Sequence, residues 1–319
     1  MKKYFKASLG LLVAAISLSS CLKEKPLFDP ANSASVVELG DVSATSEFAS
    51  TDYPYNVYNG SFDVASTAST YSIPVKYSGG AAPQDITVTL AVDNSVITKY
   101  NTFHGYTSTD AYAGLNTAYY TVPSYTVVIP KGQSATTFNI TVNPSLFGFT
   151  QKWALGISVK STTLGTPSGN FGTSLYILQA KNAYEGNYST TGYFFHPSSP
   201  RALNATKYLS TLGVSSCKAP LGDLGSSNYY FGFTINGSAL TNWTPLGATP
   251  AGTASGFMTV DNAAPFPATA DQLPGKGAWL VSTYNNSYNA ASKTFLMHYG
   301  YNGSPNAYTR QAYEKWVRQ

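Results

Sequence analysis

From residue 36 to about residue 180, apolar side chains recur at every second position in short runs. Ile86, Val88, Leu90 and Val92 alternate with Thr87, Thr89 and Ala91, and the pattern returns at Phe138, Ile140 and Val142 and at Leu155, Ile157 and Val159. A period of two puts one face of each run in a core and the other toward solvent, the mark of a half-buried strand. Val127, Val128 and Ile129 run into Pro130, Lys131 and Gly132, a turn signal leading to the Phe138 strand. Short strands with turns between them predict an antiparallel sandwich of immunoglobulin type over 36–180. One helical turn is expected within 94–101 and nothing longer, because no segment sustains a 3.6-residue apolar repeat for three turns.

At 181–187 the pattern breaks into Lys, Asn, Ala, Tyr, Glu, Gly and Asn, the composition of an inter-domain linker. A second unit, 188–319, opens on Tyr188, Gly192, Tyr193, Phe194 and Phe195, continues through 229–235 and 256–260, and closes with 293–301 and 308–317. Phe295, Met297, Tyr299 and Tyr301 alternate with Leu296 and His298, so this late strand is apolar on both faces and is expected to be central or barrel-forming.

The chain start follows another logic. A basic stretch with Lys2, Lys3 and Lys6 precedes an apolar run over 7–20, too short for a comfortable membrane span and the right size for a secretory signal. The run ends on Leu18, Ser19, Ser20 and Cys21, which resembles the lipobox of bacterial lipoproteins. That resemblance implies removal of residues 1–20, lipidation of Cys21 and a membrane held by a lipid anchor. Residues 21–35, with Lys23, Glu24, Lys25, Pro26, Asp29 and Pro30, combine charge and proline with little apolar content, as expected of a tether.

Composition narrows the function classes. The 319 residues include 25 Tyr, 27 Gly and 18 Pro, and only 11 % are charged, against about 25 % in an average soluble protein. This disfavours helical bundles and acidic disordered chains and favours an all-β protein rich in turns. The formal charge is +4; losing the three leader lysines leaves 16 basic against 15 acidic side chains, too weak a field to gather phosphate backbones, so nucleic acid is not an expected partner.

Candidate chemistry is sparse. If Cys21 carries lipid, Cys217 has no partner for a disulfide and reads as a half-buried structural thiol. His104, His196 and His298 stand apart with no zinc-type spacing, and His298, mid-strand, reads as a packed histidine. Glu185, Asp223, Asp261, Asp271 and Glu314 are scattered over the second unit and form no acidic motif. No cofactor or metal is expected, and no enzyme. Sugar binding asks only for flat aromatic faces beside hydroxyl-bonding groups. Trp243, between Asn242 and Thr244 in a turn-like segment, and the loop holding Tyr284, Asn286 and Tyr288 supply both and are the candidate glycan-binding residues; Trp153, Trp279 and Trp316 read as core.

Two resemblances add to this. Asp93, Asn94, Tyr100, Asn101, Pro123, Tyr125, Ile129, Pro130, Lys131 and Gly132 resemble the immunoglobulin-like N-terminal domain of unknown function found on many Bacteroidetes surface lipoproteins. Tyr284, Asn285, Asn289, Lys293, Thr294, Phe295, Leu296, Tyr299, Tyr301 and Arg318 resemble the lipocalin-like C-terminal domain that commonly follows it. They imply an all-β chain, an immunoglobulin-like β-sandwich followed by a lipocalin-like antiparallel β-barrel, anchored in the outer membrane and facing the cell exterior. They also imply oligosaccharide or polysaccharide capture beside an outer-membrane transporter complex. The alternative is a non-catalytic structural or protein-interaction lipoprotein, an accessory subunit of that transporter.

Overall fold

In the computed structural model the described residues are 35–247, 258–259, 283–301 and 309–319. The expected leader, Cys21, all but the last residue of the tether, Trp279 and most of 256–260 lie outside them. The fold is all-β, built from two facing sheets followed by a closed eight-stranded barrel.

The first sheet holds β1 (Val36–Leu39), β3 (Ser69–Tyr77), β6 (Tyr120–Thr121), β8 (Ala135–Val142) and β10 (Thr166–Pro167), ordered β10-β1-β3-β8-β6. The second holds β2 (Asn56–Asp63), β4 (Ile86–Val92), β7 (Thr126–Ile129), β9 (Lys152–Thr162) and β11 (Thr173–Lys181), ordered β2-β11-β9-β4-β7, with β5 (Tyr112–Gly114) beside β9. Ile73, Val75, Phe138 and Ile140 of the first sheet join Ile86, Val88, Leu155 and Ile157 of the second in one core. The period-two runs supply this core, as alternation requires.

Strand β9 departs from simple alternation, because Ala154 and Ser158 are buried as well as Leu155 and Ile157. Its outer face is covered by α1 (Ser95–His104), a ten-residue helix where the sequence reading expects a single turn. Asp93 Oδ1 accepts from Ser95 Oγ at 2.7 Å before the first turn. Gly105, at φ +67°, closes the helix with its N–H on the Asn101 and Thr102 carbonyls, a left-handed cap that glycine adopts without strain. The apolar stripe is short, with Val96, Ile97 and Tyr100 packing on Tyr53, Ala154, Leu175 and Ile177. Tertiary burial, not a long repeat, sustains the helix.

The helix approaches β9 at Gly156. A Cβ there would stand 2.0 Å from the Asp93 carbonyl oxygen and 2.6 Å from Val96 Cγ2. Gly156→Ala is therefore expected to push α1 off the sheet and lower stability by about 1–3 kcal/mol; chemical denaturation checks it, and an unchanged midpoint would contradict the tight contact.

The barrel runs through β12 (Gly186–Phe195), β13 (Arg201–Thr211), β14 (Ser216–Pro220), β15 (Tyr229–Asn236), β16 (Ala239–Gly247), β18 (Ser287–Asn289), β19 (Thr294–Tyr301) and β20 (Arg310–Arg318), and β20 pairs with both β19 and β12. A short β17 (Met258–Thr259) pairs with the far end of β19. Eight strands leave an interior just wide enough for side chains to fill. Tyr188, Leu209, Cys217, Phe231, Phe233, Phe295, Met297, Tyr299 and Trp316 pack there. Cys217, expected to be half-buried, is a fully buried thiol, and burial pushes its pKa up to about 12.

One polar network crosses that interior. Glu314 is fully buried and pairs with Lys207, which lies over the Trp316 ring. Its second oxygen accepts from the Tyr299 hydroxyl at 2.5 Å and from Trp316 Nε1 at 3.2 Å. The Tyr299 oxygen in turn accepts from Gly222 N at 2.9 Å. The bonds from Lys207, Tyr299 and Trp316 to Glu314 are charge-assisted, so the carboxylate is held by partners that replace its lost water.

On the opposite face of β19, His298 is fully buried, stacks on Tyr313 at 3.9 Å and bonds Gln311 Oε1 through Nε2 at 2.8 Å. Burial lowers its pKa to about 4, and the Gln311 bond only partly opposes this. An unfolded histidine titrates near 6.5, so between those values the unfolded chain binds the extra proton. This contribution to stability, on the order of 3 kcal/mol, is full above about pH 6.5 and is lost as the pH falls toward 4. Thermal melts across that window should show a steeper acid loss for wild type than for His298→Phe; parallel curves would contradict the role.

Candidate functional site

The segment between the sandwich and the barrel is shorter and more tightly held than its composition suggests. Lys181 ends β11 and Gly186 begins β12, leaving four connecting residues. Asn182, almost fully buried, receives its bonds on one side from Tyr184 N and Glu185 N. Its Nδ2 donates to the Gly213 and Ser216 carbonyls at 2.9 and 3.0 Å, and its N–H to Thr211 Oγ1 at 2.9 Å. Arg318, near the chain end, donates to the Ala183 and Glu185 carbonyls. The connecting segment is thus bonded along its length to the barrel.

This clamp shapes a groove of about 340 Å³ where sandwich meets barrel, within the size range of small-ligand sites. Three pieces of chain build it. The loop into β9 and the start of that strand bring Phe149, Gln151 and Trp153; the end of β11 brings Leu178, Gln179 and Ala180; the connecting segment and β13 bring Glu185, Tyr208, Ser210 and Thr211. The loop is pinned by Trp153 Nε1, which donates to the Phe147 carbonyl at 2.5 Å, while Phe147 itself is buried against Phe62 and Tyr119. Phe149 is left 39 % exposed and Tyr208 51 % exposed.

Glu185 is the hinge of the polar side. Its Oε1 accepts from the Tyr208 hydroxyl at 2.9 Å and its Oε2 from Thr211 N at 3.0 Å. Partial burial, and then the bond to this carboxylate, push the Tyr208 phenol up to about 12, so it stays a neutral donor at physiological pH. Lys152, at the groove margin, is engaged by Asp110 at 3.0 Å. The groove therefore offers two exposed rings, amide and hydroxyl side chains and one carboxylate. That set can bond a hydroxyl-rich ligand and cover the apolar face of its rings.

The residues singled out from the sequence sit elsewhere and are not brought together on one exposed surface. Trp243 is in β16, not in a turn. Asn242, at φ +52°, and Trp243 together oppose Phe233, where the register between β15 and β16 shifts. Such a bulge inserts one residue and reverses the inward phase of the strand. The indole consequently stacks on Phe231 at 5.2 Å and Phe233 at 5.3 Å, with Nε1 on the Leu240 carbonyl at 3.2 Å. Tyr288 packs against Phe295 at 4.4 Å and edge-on to Tyr184 at 5.2 Å.

Asn286 is also turned to structural use. At φ +55° its Oδ1 accepts from His298 N at 2.7 Å and its carbonyl from Leu240 N at 2.9 Å, stitching β16, β18 and β19 where their pairing is thinnest. Tyr284 is buried outside the barrel wall, edge-on to Tyr313 at 5.6 Å. Sequence reading passed over Phe149 and Tyr208. The first lies in Phe-Gly-Phe between two strands, an aromatic loop claimed by no period; the second is an aromatic at an outward strand position between inward Lys207 and Leu209.

A family model described as "-like, N-terminal domain" matches residues 44–165. That span falls within the sandwich. No curated protein matches the chain. Among solved structures, one from Bacteroides ovatus of unknown function is 15 % identical, covers 89 % of this chain and 93 % of its own, and has a TM-score of 0.47. An auxiliary nutrient binding protein from Bacteroides thetaiotaomicron is 12 % identical over 82 % of this chain and 90 % of its own, with a TM-score of 0.46. A candidate carbohydrate binding protein from Bacteroides ovatus is 17 % identical over 59 % of this chain and 60 % of its own, with a TM-score of 0.34.

Proposed function

We propose that this chain is a surface lipoprotein, anchored through Cys21 in the outer membrane and facing outward, that captures oligosaccharide or polysaccharide for uptake by a transporter. The signal-like start and the Leu-Ser-Ser-Cys sequence support the anchor. A lipid at residue 21, followed by a tether and a sandwich, carries the groove away from the bilayer.

The observation that carries the binding reading is the groove itself, with Phe149 and Tyr208 exposed beside Gln151, Gln179, Glu185 and Ser210. Among its lining residues Glu185 is the one carboxylate, whereas glycoside hydrolysis uses two across the scissile bond. The chemistry on offer is capture.

Covering one ring face with sugar is worth about 1–2 kcal/mol, so Phe149→Ala and Tyr208→Ala should each weaken binding roughly tenfold. As surface changes they should alter stability by no more than about 0.5 kcal/mol. Isothermal titration with neutral and acidic oligosaccharides, with melts alongside, tests both statements. Unchanged affinity in both variants would remove the groove as the site, and no binding by wild type would favour the accessory-subunit reading.

A further inference from the structure

A second place on the molecule presents the same chemistry on a different scaffold. On the outer side of the sandwich, Phe103 in the last turn of α1 is 41 % exposed and lies nearly parallel to the buried Tyr53 ring, with centroids 5.8 Å apart and planes 20° from each other. Tyr53 is fixed from behind by edge contacts to Tyr55 and tilted packing on Tyr100, and its hydroxyl donates to the Val96 carbonyl at 3.3 Å. The outer face of Phe103 is thus a flat apolar surface on a rigid support.

A hollow of about 380 Å³ opens beside it, lined by Phe103, Thr98, Lys99, Thr102 and Asp52. Thr98 and Thr102 are one turn apart, as are Lys99 and Phe103, so the helix sets its polar groups along one edge of the ring. Lys99 Nζ is held by the Tyr55 hydroxyl at 2.7 Å, which uses one of an ammonium's three hydrogens and leaves the others to donate. Asp52, exposed on the loop before β2, makes no hydrogen bond or ion pair among the described residues. A carboxylate that accepts, an ammonium that donates and a flat ring beside them complement adjacent sugar hydroxyls and the apolar face of one pyranose.

We infer that the Phe103 surface is a second carbohydrate-binding site, taking one or two neutral sugar units of the polymer whose other part the groove holds. It rests on the same reading of the chain as a glycan binder. Two sites on one chain raise the retention of a long polymer well beyond that of a short oligosaccharide, because the second contact is made at high effective concentration.

The test uses the full mature chain in affinity electrophoresis with starch, mannan, galactan and xylan, and titration with hexasaccharides of the same sugars. Phe103→Ala and, separately, Asp52→Ala, which leaves the ring packing intact, should each reduce retention by the recognised polymer at least threefold. Both should leave hexasaccharide affinity at the groove unchanged. Tyr208→Ala should weaken hexasaccharide binding roughly tenfold while part of the polymer retention survives, and Phe103→Ala combined with Tyr208→Ala should reduce retention further than either change alone. Full retention in Phe103→Ala and Asp52→Ala would overturn this site and leave the groove standing; loss in these two with none in Tyr208→Ala would overturn the groove and leave this site. Failure of wild type to bind any of the four polymers would overturn both.

Discussion

Glu314→Ala is expected to lower the stability of the chain by about 3–5 kcal/mol, the largest effect of any single change considered. The substitution strands Lys207, almost fully buried inside the barrel, without its counter-charge, and an unpaired buried charge costs that much. It also removes the acceptor of the Tyr299 hydroxyl and the Trp316 indole. The sign is informative beyond the single variant. Replacing both members, Lys207→Met with Glu314→Leu, should recover most of the loss, because a buried ion pair is often no more stabilising than apolar side chains of similar volume. Urea denaturation of Lys207→Met, Glu314→Leu and the double variant gives the coupling directly. Losses that simply add would show that Lys207 and Glu314 do not act as a pair.

Trp243→Ala is expected to cost about 3 kcal/mol and to leave sugar affinity unchanged. Its ring is stacked on Phe231 and Phe233 and tilted toward Tyr299 at 6.1 Å, so truncation opens a hole in the interior cluster, and large-to-small changes of an aromatic cost energy of this order. Trp243 is partly buried rather than fully enclosed, which keeps the figure at the low end of the range. Denaturation and glycan titration on one preparation separate the outcomes. A loss of affinity at unchanged stability would return Trp243 to the role its place in the sequence suggests.

That contrast shows what the sequence made legible. Alternation at 86–92, 138–142 and 155–159 is a one-dimensional signal, and the strands it predicts stand where it puts them, as does the doubly apolar strand at 294–301. The helix is longer than its sequence suggests because its stripe holds only Val96, Ile97 and Tyr100 and is completed by the outer face of β9, a surface that exists only after folding. Trp243 was misplaced for a related reason. A bulge at Asn242 changes the phase of β16, so the Asn-Trp-Thr-Pro sequence that reads as a turn is a bent strand with its indole inward. The groove is illegible in the sequence because Phe149 and Tyr208 are 59 residues apart and come to line one groove only in the folded chain. Polarity marks 181–187 as a linker, and its polar groups are the ones that bond it to the barrel.

The central claim is that carbohydrate is held between sandwich and barrel, and a crystal structure of the mature chain with the oligosaccharide found by titration tests it most directly. The sugar is predicted to lie in the groove with ring faces against Phe149 and Tyr208 and hydroxyls bonded to Gln151, Gln179 or Glu185. Sugar seated instead on Trp243 or on Tyr284, Asn286 and Tyr288, with the groove empty, would contradict it.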